Sequence, residues 1–304
     1  MLFNFNWQTF FDCNYKCSYC IQKNKTRNNE TKEERYQRLL RQATQIKSLI
    51  NNLEPEYDII TLTFLGGEIS LLTVDEVKHI FDNLLTDRLV KVRIITNLSA
   101  SVSWYREVLY YLKDHNIAFF IIASFHEEYA NVNTFFDKAE ELNKIVKETP
   151  RNDEQKIKNN FRITTVITKE NKDTFGSLFL SNAVSKNLNY QFNYNRLEKW
   201  TKDEEYKTIE GDFHFPEWKE KQNMEDIFGY TCSSSYYGVN IAPNGFITGN
   251  VSCGDCPLGI LGLTKKIVHK EIICKKHHCN MCGKVRLTRP DGSLFLTNMA
   301  AKEL

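Results

Sequence analysis

Short apolar runs alternate along this chain with longer amphipathic ones, and the rhythm repeats. Leu2 to Phe11 alternates and then runs apolar, which predicts a first strand. Between Thr31 and Asn52, Leu39, Leu40, Ala43 and Ile46 recur at helical spacing among Glu, Arg and Gln. Ile59 to Leu65 predicts a second strand, Val74 to Leu85 a helix, Val90 to Thr96 a third strand and Ser103 to Asp114 a helix. Ile117 to Ser124 is almost wholly apolar, the pattern of a strand covered on both faces. A helix is expected over Thr134 to Lys147, a polar loop over Asn152 to Asn160, and strands over Phe161 to Thr168 and Tyr190 to Tyr194.

Strands alternating with helices in this way imply βαβ units and parallel pairing. Six such units are too few to close an eight-stranded barrel. The expected fold class is therefore α/β, with an open, partial (β/α)6 TIM-like barrel over residues 1–196. Residues 197–230 are polar, with Trp200, Pro216 and Trp218 interspersed, and read as a connector with a short helix packed on the barrel. At 231 the character changes. Short alternating runs flank Pro243-Asn244-Gly245, a hairpin signal because Asn and Gly tolerate positive φ. Residues 231–304 are expected to form a small cysteine-rich α+β domain. Within the barrel, Cys13–Cys20, Gly66-Gly67-Glu68, Thr96-Asn97 and Ser124-Phe125-His126 each follow the C-terminal end of a predicted strand. That rim is where active sites of α/β barrels assemble.

Composition narrows the classes. A chain of 304 residues with net charge +2 can bury a full core and gives no reason to expect nucleic acid as a partner. No basic segment leads into an N-terminal apolar run, and no stretch approaches the roughly 18 apolar residues of a membrane helix. A cytoplasmic location is expected, with no membrane partner and with thiols kept reduced. The nine cysteines are not scattered: three lie within residues 13–20 and six within 232–282. Two clusters of this kind read as two metal-binding regions.

Cys13, Cys17 and Cys20 cannot all pair with one another, since an odd number leaves one over. Thiolate is the preferred protein ligand of iron–sulfur clusters, and three thiolates would leave one iron of a four-iron cubane open. A structural zinc site or three buried thiols are the plainer readings. The C-x3-C-x2-C run resembles the signature of the radical SAM superfamily. The resemblance implies a [4Fe-4S] cluster on Cys13, Cys17 and Cys20 whose open iron binds the amino and carboxylate groups of S-adenosylmethionine. It places Tyr19 near the adenine. Gly66-Gly67-Glu68 resembles the family's GGE motif, which holds the amino group of the methionine moiety. Thr96, Asn97, Ser124 and His126 stand where family members contact the ribose and carboxylate. Taken from the residues alone, Gly-Gly-Glu after a strand is more often only a tight turn, and His126 is equally a satisfied histidine at a strand end. Tyr194, Asn195 and Arg196 would line a substrate pocket or lie on ordinary surface.

The second cysteine group has two readings. Cys253-x2-Cys256 and Cys279-x2-Cys282 form two knuckles at zinc-ribbon separation. Cys274-x4-Cys279-x2-Cys282 instead has plant-type ferredoxin spacing. Cys232, the hairpin at Gly245, Cys253 and Leu258-Gly-Ile-Leu-Gly262 resemble the opening of the SPASM/Twitch domains, which carry auxiliary iron–sulfur clusters. This chain has six cysteines where the full pattern has seven, so one auxiliary cluster is implied and a second left open. What the resemblance implies for activity is reductive cleavage of S-adenosylmethionine to a 5′-deoxyadenosyl radical, which abstracts hydrogen from a substrate. It favours a ribosomally made peptide or protein, to be cross-linked, epimerised or oxidised, and a flavodoxin- or ferredoxin-type electron donor. Many such enzymes carry a leader-binding domain before the barrel; here the first strand opens the chain, so a separate leader-binding partner is expected. The alternatives are a small-molecule or nucleotide substrate, or a non-catalytic zinc-ribbon interaction protein.

Overall fold

The structure is a computed structural model; it describes residues 1–20, 22, 30–149, 158–194, 231–232, 235, 237–249, 257–269, 271–273, 286–288, 290–291 and 294–296. Five strand–helix steps and a sixth strand run from the N-terminus. They are β1 (Leu2–Gln8), α1 (Lys32–Asn51), β2 (Ile59–Leu65), α2 (Val74–Leu84), β3 (Leu89–Thr96), α3 (Val102–Asp114), β4 (Ala118–Phe125), α4 (Val132–Glu148), β5 (Asn160–Ile167) and, after a short helical segment, β6 (Tyr190–Tyr194). Strands β1 to β6 pair in parallel in sequence order, and the sheet does not close. The open α/β architecture expected from the alternation is the one observed.

Local chemistry starts each helix where the pattern places it. Thr31 with Glu34, and Thr73 with Glu76, form reciprocal capping boxes that satisfy the first free amides of α1 and α2. Ser101 and Asn131 cap α3 and α4 with single side-chain acceptors. Two sequence expectations are corrected. The first strand stops at Gln8 instead of Phe11, because Phe10 and Asp12 turn their carbonyls to the backbone of Gly67 and Glu68. A helical segment also lies between β5 and β6, a π-helical turn at Gly176–Leu180 leading into α5 (Ser181–Ser185). Its Gly, Ser and Asn content masks it in the sequence, since these residues have low helix propensity. Phe175, Phe179, Leu180 and Ala183 nevertheless bury against the sheet and hold it.

Past residue 230, three of the described strands extend the barrel's sheet and the others form a small sheet of their own. Strand β7 (Thr231–Cys232) is followed by β8 (Gly238–Ile241), which pairs in parallel with β1. Strands β9 (Phe246–Gly249) and β10 (Pro257–Ile260) continue the same sheet in antiparallel fashion, giving the order β10-β9-β8-β1-β2-β3-β4-β5-β6. The predicted hairpin is present at Pro243-Asn244-Gly245, with Gly245 at φ +81°. Strand β7 pairs instead with β11 (Ile272–Ile273) and β12 (Arg286–Thr288), and β13 (Leu294–Leu296) completes a small antiparallel sheet.

The main sheet has two unlike faces. One carries Phe3, Phe5, Trp7, Ile60, Leu62, Phe64, Val92, Ile94, Phe119, Ile121, Phe161 and Ile163, all buried. The helices pack there: Phe64 meets Phe81 of α2, and Phe125 meets Phe135 and Phe136 of α4. Because side chains alternate along a strand, the intervening residues share the inner face, away from the helices. Registers place Asn4 and Asn6 beside Thr61 and Thr63, then Lys91 and Arg93, Phe120, Arg162 and Thr164, and Gln191, with Asn240 on the other side. Much of this face is polar, with Phe120 and Ile122 among its apolar members.

Gln42 of α1 joins three parts of the fold. Its Oε1 accepts from the buried Trp7 indole at 3.0 Å, and its Nε2 donates to the Pro243 carbonyl at 2.8 Å. Arg38, one turn earlier, donates to the Thr9 and Pro243 carbonyls and pairs with Glu30. The end of β1, helix α1 and the C-terminal hairpin are thereby clamped together. Gln42→Leu is expected to lower stability by about 1–3 kcal/mol, the cost of an indole N–H left buried without an acceptor. Urea unfolding of the two proteins side by side checks this.

Candidate active site at the strand ends

The cysteine loop follows β1 and is held down by the end of β2. Gly67 N–H donates to the Phe10 carbonyl at 2.6 Å and Glu68 N–H to the Asp12 carbonyl at 2.9 Å. A Cβ on Gly66, which sits at φ +116°, would overlap the Phe10 carbonyl oxygen, and one on Gly67 would overlap that of Asp12. The two glycines therefore serve close approach, as their sequence suggested, but what approaches is the loop's own backbone. Arg35 of α1 pairs with Asp12 and lies over the Phe10 ring, which pins the loop from the helix side.

Glu68 is buried and fully engaged. Its carboxylate accepts from Ser70 N at 3.1 Å, Thr96 Oγ1 at 2.7 Å and Asn97 N at 2.7 Å, so it ties the end of β2 to the end of β3. Burial raises its pKa, with these donors opposing. Thr96 also bonds the Tyr105 hydroxyl of α3. Glu68 and Thr96 thus lie beneath the loop, bonded within the protein. Asn97 reaches upward: its Nδ2 donates to Asn14 Oδ1 at 2.9 Å and lies 3.7 Å from Cys13 Sγ. Lys138 of α4 caps the loop behind it through the carbonyls of Leu98, Ser99 and Ala100.

The end of β4 supplies the opposite wall. His126 stacks on Tyr19 with ring centroids 5.8 Å apart, and its Nδ1 is 3.0 Å from the Tyr19 hydroxyl. Tyr15 stacks on Tyr129 and meets His126 edge-on. Glu128 accepts from the Ser18 backbone at 2.8 Å and from its hydroxyl, and the Tyr129 hydroxyl donates to the Lys16 carbonyl. Asn14, Tyr15, Glu128 and Tyr129 were not singled out in the sequence; the run His126-Glu-Glu-Tyr after an apolar strand was the available signal. Ser124 sits half-buried on the inner face, paired in register with Thr164.

Cys13, Cys17 and Cys20 are free thiols, Cys17 buried and the others partly so. Burial pushes Cys13 up and Cys17 up to about 12, each raised further by the neighbouring cysteines, while the Tyr19 hydroxyl bonds toward Cys17 and lowers it. The Tyr15 amide points at Cys13 Sγ from 3.4 Å. Among the described residues no group of three or more His, Cys, Asp or Glu is arranged around a single metal ion. A cubane spreads its thiolates over three different irons, so its ligands stand farther apart than those of one ion. An all-sulfur donor set with amides directed at Cys13 suits such a cluster. Cys253, Cys256, Cys274, Cys279 and Cys282 lie outside the described residues, as do Asn195 and Arg196. Of Cys232 and Tyr194 only the strand positions are described.

No protein-family model matches the sequence, and no curated protein matches it. Solved structures do share its fold. Native anSMEcpe with bound AdoMet and Kp18Cys peptide aligns with TM-score 0.56 at 15% identity, over 87% of this chain and 79% of that one. A hexahistidine-tagged form of anSMEcpe with bound AdoMet gives 0.57 at 14%, over the same shares. The chain has the open α/β-barrel fold of these AdoMet-bound structures. No described helix is long and apolar enough to cross a membrane.

Burial lowers the His126 pKa from 6.5 to about 4, with Glu128 opposing. In the unfolded chain this imidazole takes its proton at the ordinary value, whereas the folded chain resists until about 4. The unfolded state then binds more protons across that window, so stability falls as pH drops through it. His126→Gln is expected to make stability against pH shallower by one proton between those values, measured by denaturant unfolding at stepped pH.

Proposed function

We propose that this chain is a radical SAM enzyme acting on a peptide or protein. The observation that carries the reading is a loop of three thiols held at the C-terminal rim of an open α/β barrel, above a polar inner face. The likeness in fold to anSMEcpe with bound AdoMet and a peptide supports it. Cys13, Cys17 and Cys20 would hold a [4Fe-4S] cluster. The chemistry such a group would supply is one-electron reduction of the sulfonium of S-adenosylmethionine, which would yield methionine and a 5′-deoxyadenosyl radical able to take hydrogen from an unactivated C–H bond.

The chain's own residues do the positioning. Gly66 and Gly67 seat the loop, and Glu68 locks the ends of β2 and β3 so that Asn97 faces Cys13. Tyr19 and His126 form an aromatic wall suited to a flat base, and the neutral imidazole adds no charge beside a cationic sulfonium. The six cysteines from Cys232 to Cys282 would hold at least one auxiliary iron–sulfur cluster, and a flavodoxin- or ferredoxin-type protein would deliver electrons. Peptide modification is favoured over a small-molecule or nucleotide substrate by the open, polar inner face; transfer of deuterium from labelled substrate into 5′-deoxyadenosine separates these.

Anaerobic reconstitution with iron and sulfide, followed by iron analysis and a 5′-deoxyadenosine assay with dithionite, tests the reading. About four irons at the N-terminal thiols are expected. Cys17→Ala is expected to lose those irons and S-adenosylmethionine cleavage while retaining any auxiliary iron. Wild-type protein that holds only zinc, or a Cys17→Ala variant that still cleaves S-adenosylmethionine, defeats the proposal.

A further inference from the structure

The inner face of β1 carries three primary amides in a column. Asn4, Asn6 and Gln8 follow one another at every second position, and none makes a side-chain hydrogen bond to a described residue. Register sets polar neighbours on both sides. Thr61 and Thr63 of β2 lie beside Asn4 and Asn6, and Asn240 of β8 lies on the other flank of Asn6. Thr248 of β9 follows next to Asn240. Gly238 stands beside Asn4 and places no side chain there; a Cβ on it would overlap the Asn4 carbonyl oxygen.

Two atoms of this group are anomalous for a protein interior. Thr63 is 2% exposed and Asn240 9%, yet Thr63 Oγ1 and Asn240 Oδ1 are buried without a hydrogen-bond partner. Such atoms give up their water with nothing in return, which costs stability, and native interiors hold few of them. Both flank Asn6, which is only partly buried, so the row is open at its centre. None of the positions in the column or beside it is charged. A primary amide offers donors and an acceptor together, and an ion would satisfy only one of the two. A peptide unit satisfies both, giving its N–H to the side-chain oxygen and taking the side-chain NH2 on its carbonyl. Asn and Gln read a base edge in the same two-point manner.

Spacing selects between a single amide and a chain of them. Alternate residues of a strand stand about 6.7 Å apart, and an extended peptide repeats the N–H and C=O groups of one edge at the same interval. The column thus spans about 13 Å from Asn4 to Gln8. Gln8 is the last residue of β1, from which the chain runs into the cysteine loop. We infer that Asn4, Asn6 and Gln8, with Thr63 and Asn240 beside them, form a track that hydrogen-bonds the main chain of an extended peptide substrate and leads its reacting residue up to Cys13–Cys20. The inference rests on the peptide-modifying reading and deepens it: the substrate is held by its backbone, so the track tolerates changes in its side chains.

Calorimetry on the full chain tests it with two probes. One is an acetylated, amidated glycine hexamer; the other is its twin with alternate peptide bonds replaced by esters, which removes N–H donors and little else. The hexamer is expected to bind about tenfold tighter than the ester twin, as the loss of two hydrogen bonds implies. In T63V/N240L that preference is expected to vanish while the urea midpoint stays level or rises, since apolar groups replace polar atoms that had no partner. Should the pair lower the midpoint instead, Asn6→Ala decides, and is expected to cut the preference about threefold, the share of one hydrogen bond. Equal binding of the two probes, or a preference that survives these substitutions, overturns the assignment. So does displacement of the hexamer by acetamide at equal amide concentration, which would make this a pocket for one amide. Displacement by uridine at far lower concentration than by acetamide overturns it too, as the mark of a base site. Binding does not require the cluster. Backbone-selective binding by a wild-type protein that forms no 5′-deoxyadenosine would therefore refute the radical chemistry and leave the track standing.

Discussion

A buried carboxylate with three donors holds the rim together. Glu68 alone would be costly to bury, and its raised pKa records that cost. With Ser70, Thr96 and Asn97 around it, the same carboxylate becomes a bracket between two parallel strands that otherwise end separately. Its own amide, and that of Gly67, then receive the backbone of residues 10–12. The cysteine loop is thus laid onto a rigid strand end in close backbone contact, and any side chain at Gly66 or Gly67 would lift it. A site meant to present sulfurs at fixed positions needs supporting elements of this rigidity.

Around that bracket the walls come from distant parts of the chain. Asn97 approaches from β3, His126, Glu128 and Tyr129 from β4, and Arg35 from α1. Each makes a polar or ring contact with residues 12–19. The loop is therefore anchored on several sides while Cys13 and Cys20 stay partly accessible and Cys17 is buried. Lys138, capping three carbonyls behind Asn97, keeps the β3 end from unwinding toward solvent.

The sheet divides its labour between faces. Buried aromatic and aliphatic residues on the helix side supply most of the hydrophobic free energy, at about 25 cal/mol per Å² of apolar surface removed from water. The inner face gives up that gain. Asn, Thr, Lys and Arg occupy positions where apolar residues would stabilise the fold more, and three cations share one aromatic ring. The same two-faced sheet runs on through β8 and β9, where Asn240 and Thr248 continue the polar row, so the hairpin at Gly245 belongs to the wall of the barrel.

Periodicity alone determined the order of the six strands and of the first four helices. An apolar run of seven or eight residues has few other uses, and capping residues such as Thr31 and Thr73 mark where helices begin. It also placed the chemistry-bearing segments at strand ends, which a parallel sheet must bring to one rim. The helical segment at Gly176–Ser185 escaped notice because its formation depends on burying Phe179 and Leu180, a tertiary gain that outweighs weak propensity. Only the folded chain decided that Glu68 faces inward to three donors, that Gly66 and Gly67 accommodate the loop's backbone, and that β8 joins β1 from the far end of the chain. Pairing, register and close approach are relations between distant segments. A linear pattern records what each residue prefers, and the neighbour that satisfies it appears only when the chain is packed.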